Sequence, residues 1–206
     1  EFIILIFIIL NLIFSLFSNT STYKLPKWFS ILGIIAALFS TIYLQIDPEA
    51  FAFNNMFLTN IYTVFFKILI LISGFFVVLL SRNMIREKRD RAAEYFCVFL
   101  SGLLFAMCAV SSINFISLFV SLEALGLTCY LLLALNKNNN AKQLTFGYLM
   151  QSSVVSSLFL MGLSLVYGMC AQLDYNQVSL CFSQNQSQIL LTFALILMLC
   201  TMFFKL

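Results

Sequence analysis

Read for hydrophobic and polar positions, the chain is a series of long apolar runs separated by short polar ones. Seven runs are of helical length: residues 1–18, 28–46, 60–81, 93–110, 113–135, 143–170 and 188–206. About 18–20 apolar residues suffice to cross the hydrocarbon core of a bilayer. The runs are continuous rather than alternating, which disfavours a closed β-barrel. Pro26 and Pro48, the two prolines, both fall between runs, where helix breakers belong. The pattern predicts an all-α membrane protein with seven transmembrane helices.

The polar stretches give this count an internal test. Lys24 and Lys27 follow the first run, Arg82, Arg86, Lys88, Arg89 and Arg91 the third, and Lys137 and Lys142 the fifth. The stretches after the second, fourth and sixth runs carry Asp47, Glu49 and Asp174 and no Lys or Arg. All the loop cations therefore fall on one face, a regularity that a wrong helix count would scramble. The positive-inside rule turns that face to the cytoplasm or matrix and puts the N-terminus outside. The charged loop "SRNMIREKRDRAAEY" reads as an orientation signal in contact with lipid headgroups. A nucleic-acid partner is not expected beside seven spans.

Composition agrees. Of 206 residues, 62% are hydrophobic and 9% charged, and the mean hydropathy is +1.02, too apolar for a core with a polar skin. Phe, Ile, Asn, Tyr and Lys abound while Gly, Pro, Trp and His are scarce. That bias follows AT-rich codons and hints at an organelle genome. The first run lacks a basic start and a small-residue cleavage site, so it reads as a membrane helix rather than a signal peptide. Six scattered cysteines, no CxxC and no His give little support to a metal, haem or iron–sulfur site. Most of the cysteines read as small apolar fillers. Cys170 and Cys181 flank one predicted loop, and a disulfide there is the less favoured reading.

Against this background three ionisable side chains stand out within the runs: Lys67, Glu123 and Lys205, with Glu94 at a boundary. A charge at the bilayer centre costs about 2.5–3.5 kcal/mol on insertion scales, and such residues are usually functional. Glu123 lies ten residues beyond Ile113, about 15 Å along a helix. It must be protonated, paired or facing water. Desolvation raises a carboxyl pKa and a neighbouring Lys lowers it, so a group held between the two can exchange a proton. The structural alternative is a static ion pair or a single interhelical hydrogen bond. Lys67 and Lys205 have their own alternative, snorkelling to a headgroup.

On a helix, Phe119, Gly126, Leu127 and Tyr130 share the side of Glu123. Gly126 leaves room for a water or a close neighbour, and Tyr130 offers a hydroxyl. Ser117, Ser121 and Thr128 fall on another side, available to a neighbouring helix or to their own backbone. In "QSSVVSS" the serines follow small-xxx-small spacing, which tight helix packing explains. A hydrated lining is the sharper alternative.

The order and spacing of several stretches resemble the subunit 2 family of NADH:ubiquinone oxidoreductase (respiratory complex I), among the antiporter-like subunits of its membrane arm. "FFKILILISGFFVVLLSRN" resembles the third helix and following loop. "EYFCVFLSGLLFAMCAVSSINFISLFVSLEALGLTCYLLLAL" resembles the fourth and fifth helices. "SSVVSSLFLMGLSLVYG" resembles the sixth, and "FFKL" the start of a break in the seventh. "LEALGLTCYLL" is also somewhat like sister subunit 5, and bacterial and archaeal cation/proton antiporter subunits are wider relatives. The resemblance implies a proton-transfer pair of Glu123 and Lys205, with Lys67 on a third-helix lysine of less defined role. It implies no cofactor bound by this chain. Other membrane-arm subunits and lipids would be its partners, in the mitochondrial inner membrane with the basic loops facing the matrix.

The resemblance also has departures. A Glu and a Lys that the family often carries entering the sixth helix appear here as Gln143 and Gly147, with Lys142 nearby. The family's long form has fourteen helices, with two inverted five-helix repeats after the first three. The expectation is therefore a split subunit, residues 1–92 forming three helices and the basic loop, residues 93–206 part of the first repeat, and a second chain supplying the rest. The carboxylate of Leu206 would then sit near Lys205. The alternatives are a structural or assembly subunit with a reduced pumping role, another cation/proton antiporter subunit, and a seven-helix receptor or retinal protein. The last is disfavoured because Lys205 is not mid-helix and the one Trp lies in the second run.

Overall fold

The computed structural model describes residues 1–17, 24–43, 50–53, 55–81, 92–135, 139–184 and 188–205. Eight helices and one β-hairpin make up these residues. They run as α1 (Phe2–Phe17), α2 (Lys24–Tyr43), β1 (Ala50–Ala52), β2 (Phe57–Thr59), α3 (Ile61–Leu80), α4 (Ala92–Ser111), α5 (Phe115–Ala134), α6 (Asn139–Cys170), α7 (Tyr175–Gln184) and α8 (Gln188–Lys205). The stretches Leu25–Tyr43, Ile61–Leu80, Ala92–Ser111, Phe115–Ala134 and Ala141–Cys170 are long and apolar enough to cross a membrane, whereas Phe2–Ile13 and Ile189–Lys205 are shorter apolar helices. Helix α6 has 32 residues, about 48 Å of helix, and so overreaches a hydrocarbon core of about 30 Å.

Some element ends differ from expectation for identifiable reasons. Helix α2 begins at Lys24 and takes Pro26 into its first turn, where the missing amide proton would have no intrahelical partner anyway. The buried Ser30 hydroxyl donates to the Pro26 carbonyl at 2.7 Å. Residues read as loop after the second run include the hairpin, paired Ala50↔Thr59, Phe51↔Leu58 and Ala52↔Phe57. Asn60 then starts α3 with a capping box, its side chain accepting from the Ile61 amide while Thr63 Oγ1 accepts from its own amide. Pro48, the basic loop cations Arg82 to Arg91, and Leu206 lie outside the described residues.

Packing divides between two apolar clusters. Ile4, Ile34, Leu71, Phe96, Leu100 and Met107 centre the first, among α1 to α4. Phe159, Val166, Leu173, Val178, Leu191, Ala194 and Met198 form the second among α6, α7 and α8, with Phe115 and Phe119 of α5 against it. Glycines set close approaches, and at Gly33 and Gly74 a Cβ would meet the Phe7 and Leu103 side chains at 2.8 and 2.6 Å. A Cβ at Gly102 would stand 3.0 Å from Thr128 Oγ1, between α4 and α5, and one at Gly162 would meet Met198 Cγ at 2.7 Å and the Ala194 carbonyl at 3.0 Å.

One end of the bundle is knitted by backbone hydrogen bonds. The α4–α5 turn takes the Met56 carbonyl on its Ile113 amide (3.0 Å) and gives the Ile113 carbonyl to the Tyr175 amide (3.2 Å). The Phe115 amide donates to the Leu173 carbonyl at 3.1 Å, and Asn114 Nδ2 donates to Asp174 Oδ1 at 2.9 Å. Asn114 Oδ1 also caps α5 by accepting from the Ile116 amide. Near a membrane surface, irregular backbone must find partners in this way. Tyr175 packs edge-on against Phe115 at 4.7 Å between ring centroids. Burial raises the pKa of its phenol, and a Ser112 hydrogen bond offsets part of the rise.

At the same end α6 closes with Ala171 at φ 53°, the left-handed position that normally follows a helix terminus and usually favours Gly. The chain turns back there, and α7 brings Cys181 onto Cys170 with Cα atoms 5.7 Å apart. The two form a disulfide, the reading less favoured from the sequence: the reversal at Ala171 within the loop they flank is what juxtaposes them.

Gly162→Ala should destabilise the protein by about 1–3 kcal/mol, because one of the atoms it meets is backbone and cannot swing aside. Gly147→Ala, with open space around it, should be neutral. Chemical unfolding of the two variants in detergent measures both.

Candidate functional site

Glu123 lies in the ninth position of α5, partly buried. It faces the junction of α5 with α6 and α8. Its Oε1 accepts from Lys205 Nζ at the last turn of α8 and from Ser156 Oγ of α6. Ser156 also donates to the Ser152 carbonyl one turn back at 2.8 Å, so a single serine hydroxyl is offered to a helix carbonyl and to a carboxylate. Lys205 Nζ lies 5.6 Å above the centroid of the Phe119 ring, which stacks on Phe159 at 5.2 Å. The ammonium therefore has a carboxylate on one side and an aromatic face on another, both favourable for a cation away from bulk water. Side-chain exposure is 18% for Lys205 and 26% for Glu123.

The cluster has three polar members from three helices, and sequence reasoning named two of them. Ser156 is read there for tight helix packing, with a hydrated lining as the alternative. Its signal was present in "QSSVVSS", but four serines share that stretch and only the fold selects one. Ser153 and Ser157 are exposed and donate to their own helix, to Met150 and Val154 carbonyls. Tyr130 points its hydroxyl back over Gly126, 3.4 Å from where a Cβ would stand. That fills the room Gly126 was expected to leave for a water or neighbour. Ser117, Ser121 and Thr128 are buried and donate to carbonyls of their own helix, with Ser117 also reaching the Met56 carbonyl at 3.3 Å.

Lys67 belongs to a different pair. It is 6% exposed and bonds Glu1 Oε1 at 2.9 Å, with Ser111 Oγ at 3.3 Å from the same oxygen. Lys67, expected as a third-helix lysine of less defined role, thus serves the packing of α1, α3 and α4, and Lys205 alone of the two lysines meets Glu123. No group of three or more His, Cys, Asp or Glu suited to a metal ion occurs among the described residues.

Chemically, an ionised carboxylate can only accept, and here both contacts on Oε1 are donors. The geometry is that of a charge-assisted contact between a carboxylate and an ammonium across a helix junction.

Residues 112–206 match the model of the NADH:quinone oxidoreductase/Mrp antiporter transmembrane family. The match takes in just under half of the chain. It is 30% identical over 178 residues to NADH-quinone oxidoreductase subunit N of Dehalococcoides mccartyi, a match covering 86% of this chain and 36% of the relative. It is 32% identical over 166 residues to the chloroplastic NAD(P)H-quinone oxidoreductase subunit 2 of Mesostigma viride, covering 80% of this chain and 32% of the relative. A chain of respiratory complex I from Thermus thermophilus shares the fold, with a TM-score of 0.76 at 22% identity over 96% of this chain and 41% of that one. The chain thus spans about a third of the length of these curated relatives. Glu123, Ser156 and Lys205 all fall within the matched stretch.

Lys205→Met should leave Glu123 without its cationic partner and therefore protonated. Infrared spectroscopy should then show a protonated-carboxyl stretching band in Lys205→Met that vanishes in Lys205→Met/Glu123→Gln. A carboxylate-only spectrum in Lys205→Met would show that Ser156 and its surroundings suffice to hold the charge.

Proposed function

We propose that this chain is part of the proton-translocating membrane arm of a complex I-type NADH:quinone oxidoreductase. In this reading Glu123 and Lys205 exchange a proton as their ion pair opens and closes, driven by electron transfer elsewhere in the complex. The observation that carries the reading is the meeting of Glu123, Lys205 and Ser156 from three helices on an antiporter-family fold. Lys67, bonded to Glu1, is assigned a supporting electrostatic role, and Tyr130 a weak one beside the path. Electron transfer itself belongs to other subunits, and this chain binds no redox group.

The finer topology is part of the proposal. Helices α1 and α8 complete a seven-span arrangement with the N-terminus outside. The cation distribution supports basic loops on the inner side, and codon bias supports the mitochondrial inner membrane with those loops in the matrix. Residues 1–92 and 93–206 act as a three-helix entry and a partial first repeat. A repeat interface normally builds a transport site, and this stretch holds part of one repeat, so the remaining length of the relatives must complete the path. The intact mass of each subunit in the purified complex shows whether that length lies on this chain or on another.

The second reading is a structural or assembly subunit, favoured by Gln143 and Gly147. These stand where the family often has charged residues, and both are exposed. A role in a cation/proton antiporter complex is a third, less supported reading.

Glu123→Ala should lower NADH-driven proton uptake into reconstituted vesicles by about tenfold or more, a barrier increase of at least about 1.4 kcal/mol. Wild-type proton stoichiometry in that variant would overturn the pumping role. Normal assembly and stoichiometry in Glu123→Ala/Lys205→Ala would establish the assembly reading instead.

A further inference from the structure

The turn between α6 and α7 is tied in two ways. The disulfide Cys170–Cys181 closes a ring of chain. Inside that ring lie the groups that hold the start of α5: the Leu173 carbonyl accepting from Phe115, Asp174 Oδ1 accepting from Asn114, and the Tyr175 amide donating to Ile113. Leu173 and Val178 of the same ring are buried in the second apolar cluster. Helix α5 begins at Phe115, two turns before Glu123, and α6 carries Ser156 on the way to Cys170. The ring therefore links the depth of α5 to that of α6 at the end nearest their shared carboxylate contact.

We propose that Cys170 and Cys181 are a modification site, oxidised on the face opposite the basic loops, and that their disulfide positions the first turn of α5. The face follows from the fold. The Phe57↔Ser112 and Asn114↔Asp174 bridges put the hairpin, the α4–α5 turn and the α6–α7 turn at one end. Residues 82–91, which carry the basic loop, join the other ends of α3 and α4. Disulfides persist in oxidising compartments, and the side away from the cationic loops is that side.

Formation proceeds by dithiol–disulfide exchange with a disulfide-bearing exchange protein of that compartment. The thiolate of one cysteine attacks the exchange protein's disulfide, giving a mixed disulfide and releasing one of its sulfurs as a thiol. The second cysteine's thiolate then attacks the sulfur of the first, so that the Cys170–Cys181 bond forms, the mixed bond breaks and the exchange protein's other sulfur leaves as a thiol. Two electrons and two protons pass from the two cysteines to the exchange protein, which leaves as a dithiol. The bound ring has fewer open conformations to lose, so its acceptors stay arranged for α5.

The test uses the purified, assembled complex and reads thiols and amides rather than turnover, so its outcome is independent of the pumping proposal. In denaturant, alkylation should modify Cys97, Cys108, Cys129 and Cys200 directly, and Cys170 and Cys181 only after reduction by a phosphine. Peptide mass spectrometry reads the difference. Direct alkylation of Cys170 and Cys181 would overturn the bond. In native complex, reduction should speed amide exchange at Phe115 and Tyr175 by roughly tenfold while leaving α3 unchanged. The variant Cys170→Ser/Cys181→Ser should match the reduced state, and Cys129→Ser should match the oxidised one. Equal exchange with and without the bond would overturn the positioning role. In sealed vesicles a membrane-impermeant phosphine should open the bond only from the side away from the basic loops, and opening from the basic side alone would overturn the assigned face.

Discussion

A lone carboxylate inside hydrocarbon is too costly to leave unpartnered, and that constraint organises the second half of this chain. Glu123 sits within α5, and its partners come from α6 and α8. Those two helices must therefore lie against each other and against α5. Gly162 allows the close approach of α6 to α8, and Phe119 on Phe159 closes the apolar side of the junction. The first half repeats the solution on a smaller scale, with Lys67 bonded to Glu1 and Ser111 close to the same carboxylate. In both halves the charges lie between helices, where oppositely charged or hydroxyl groups replace water.

The second constraint is the backbone. The chain must reverse at the membrane surface, and each reversal frees amides and carbonyls that lipid cannot satisfy. Here the reversals satisfy one another. The hairpin supplies the Met56 carbonyl, the α4–α5 turn supplies Ile113, and the α6–α7 turn supplies Leu173 and Asp174. Three stretches far apart in sequence become one hydrogen-bonded layer. That layer fixes where α5 starts, and so how deep Glu123 lies. The chemistry of the carboxylate is thus set partly by groups at the surface.

In the proposed reading the Glu123–Lys205 contact opens and closes, and the hydrogen-bonded layer at the start of α5 keeps the closed arrangement available. The stretch covers about a third of the curated relatives' length, and in the same proposed reading the proton path continues in the remainder.

Much of the architecture was legible in the chain itself. Runs of apolar residues gave the helices, because hydrocarbon tolerates few other backbones. Glu123 and Lys205 stood out because charge in an apolar run is expensive wherever the helix goes. The hairpin and α7 were not legible, since short polar stretches carry no periodicity strong enough to announce them. Nor was Pro26 inside α2, where a first-turn proline costs nothing that the helix would otherwise gain. The sequence by itself determined which segments enter the membrane and which charges need partners, because transfer energies belong to residues. Only the tertiary structure decided that Lys205 rather than Lys67 meets Glu123, that Ser156 among four serines joins them, and that Cys170 bonds Cys181. Those choices depend on helix rotation, depth and chain reversal, which are set by packing between segments distant in sequence.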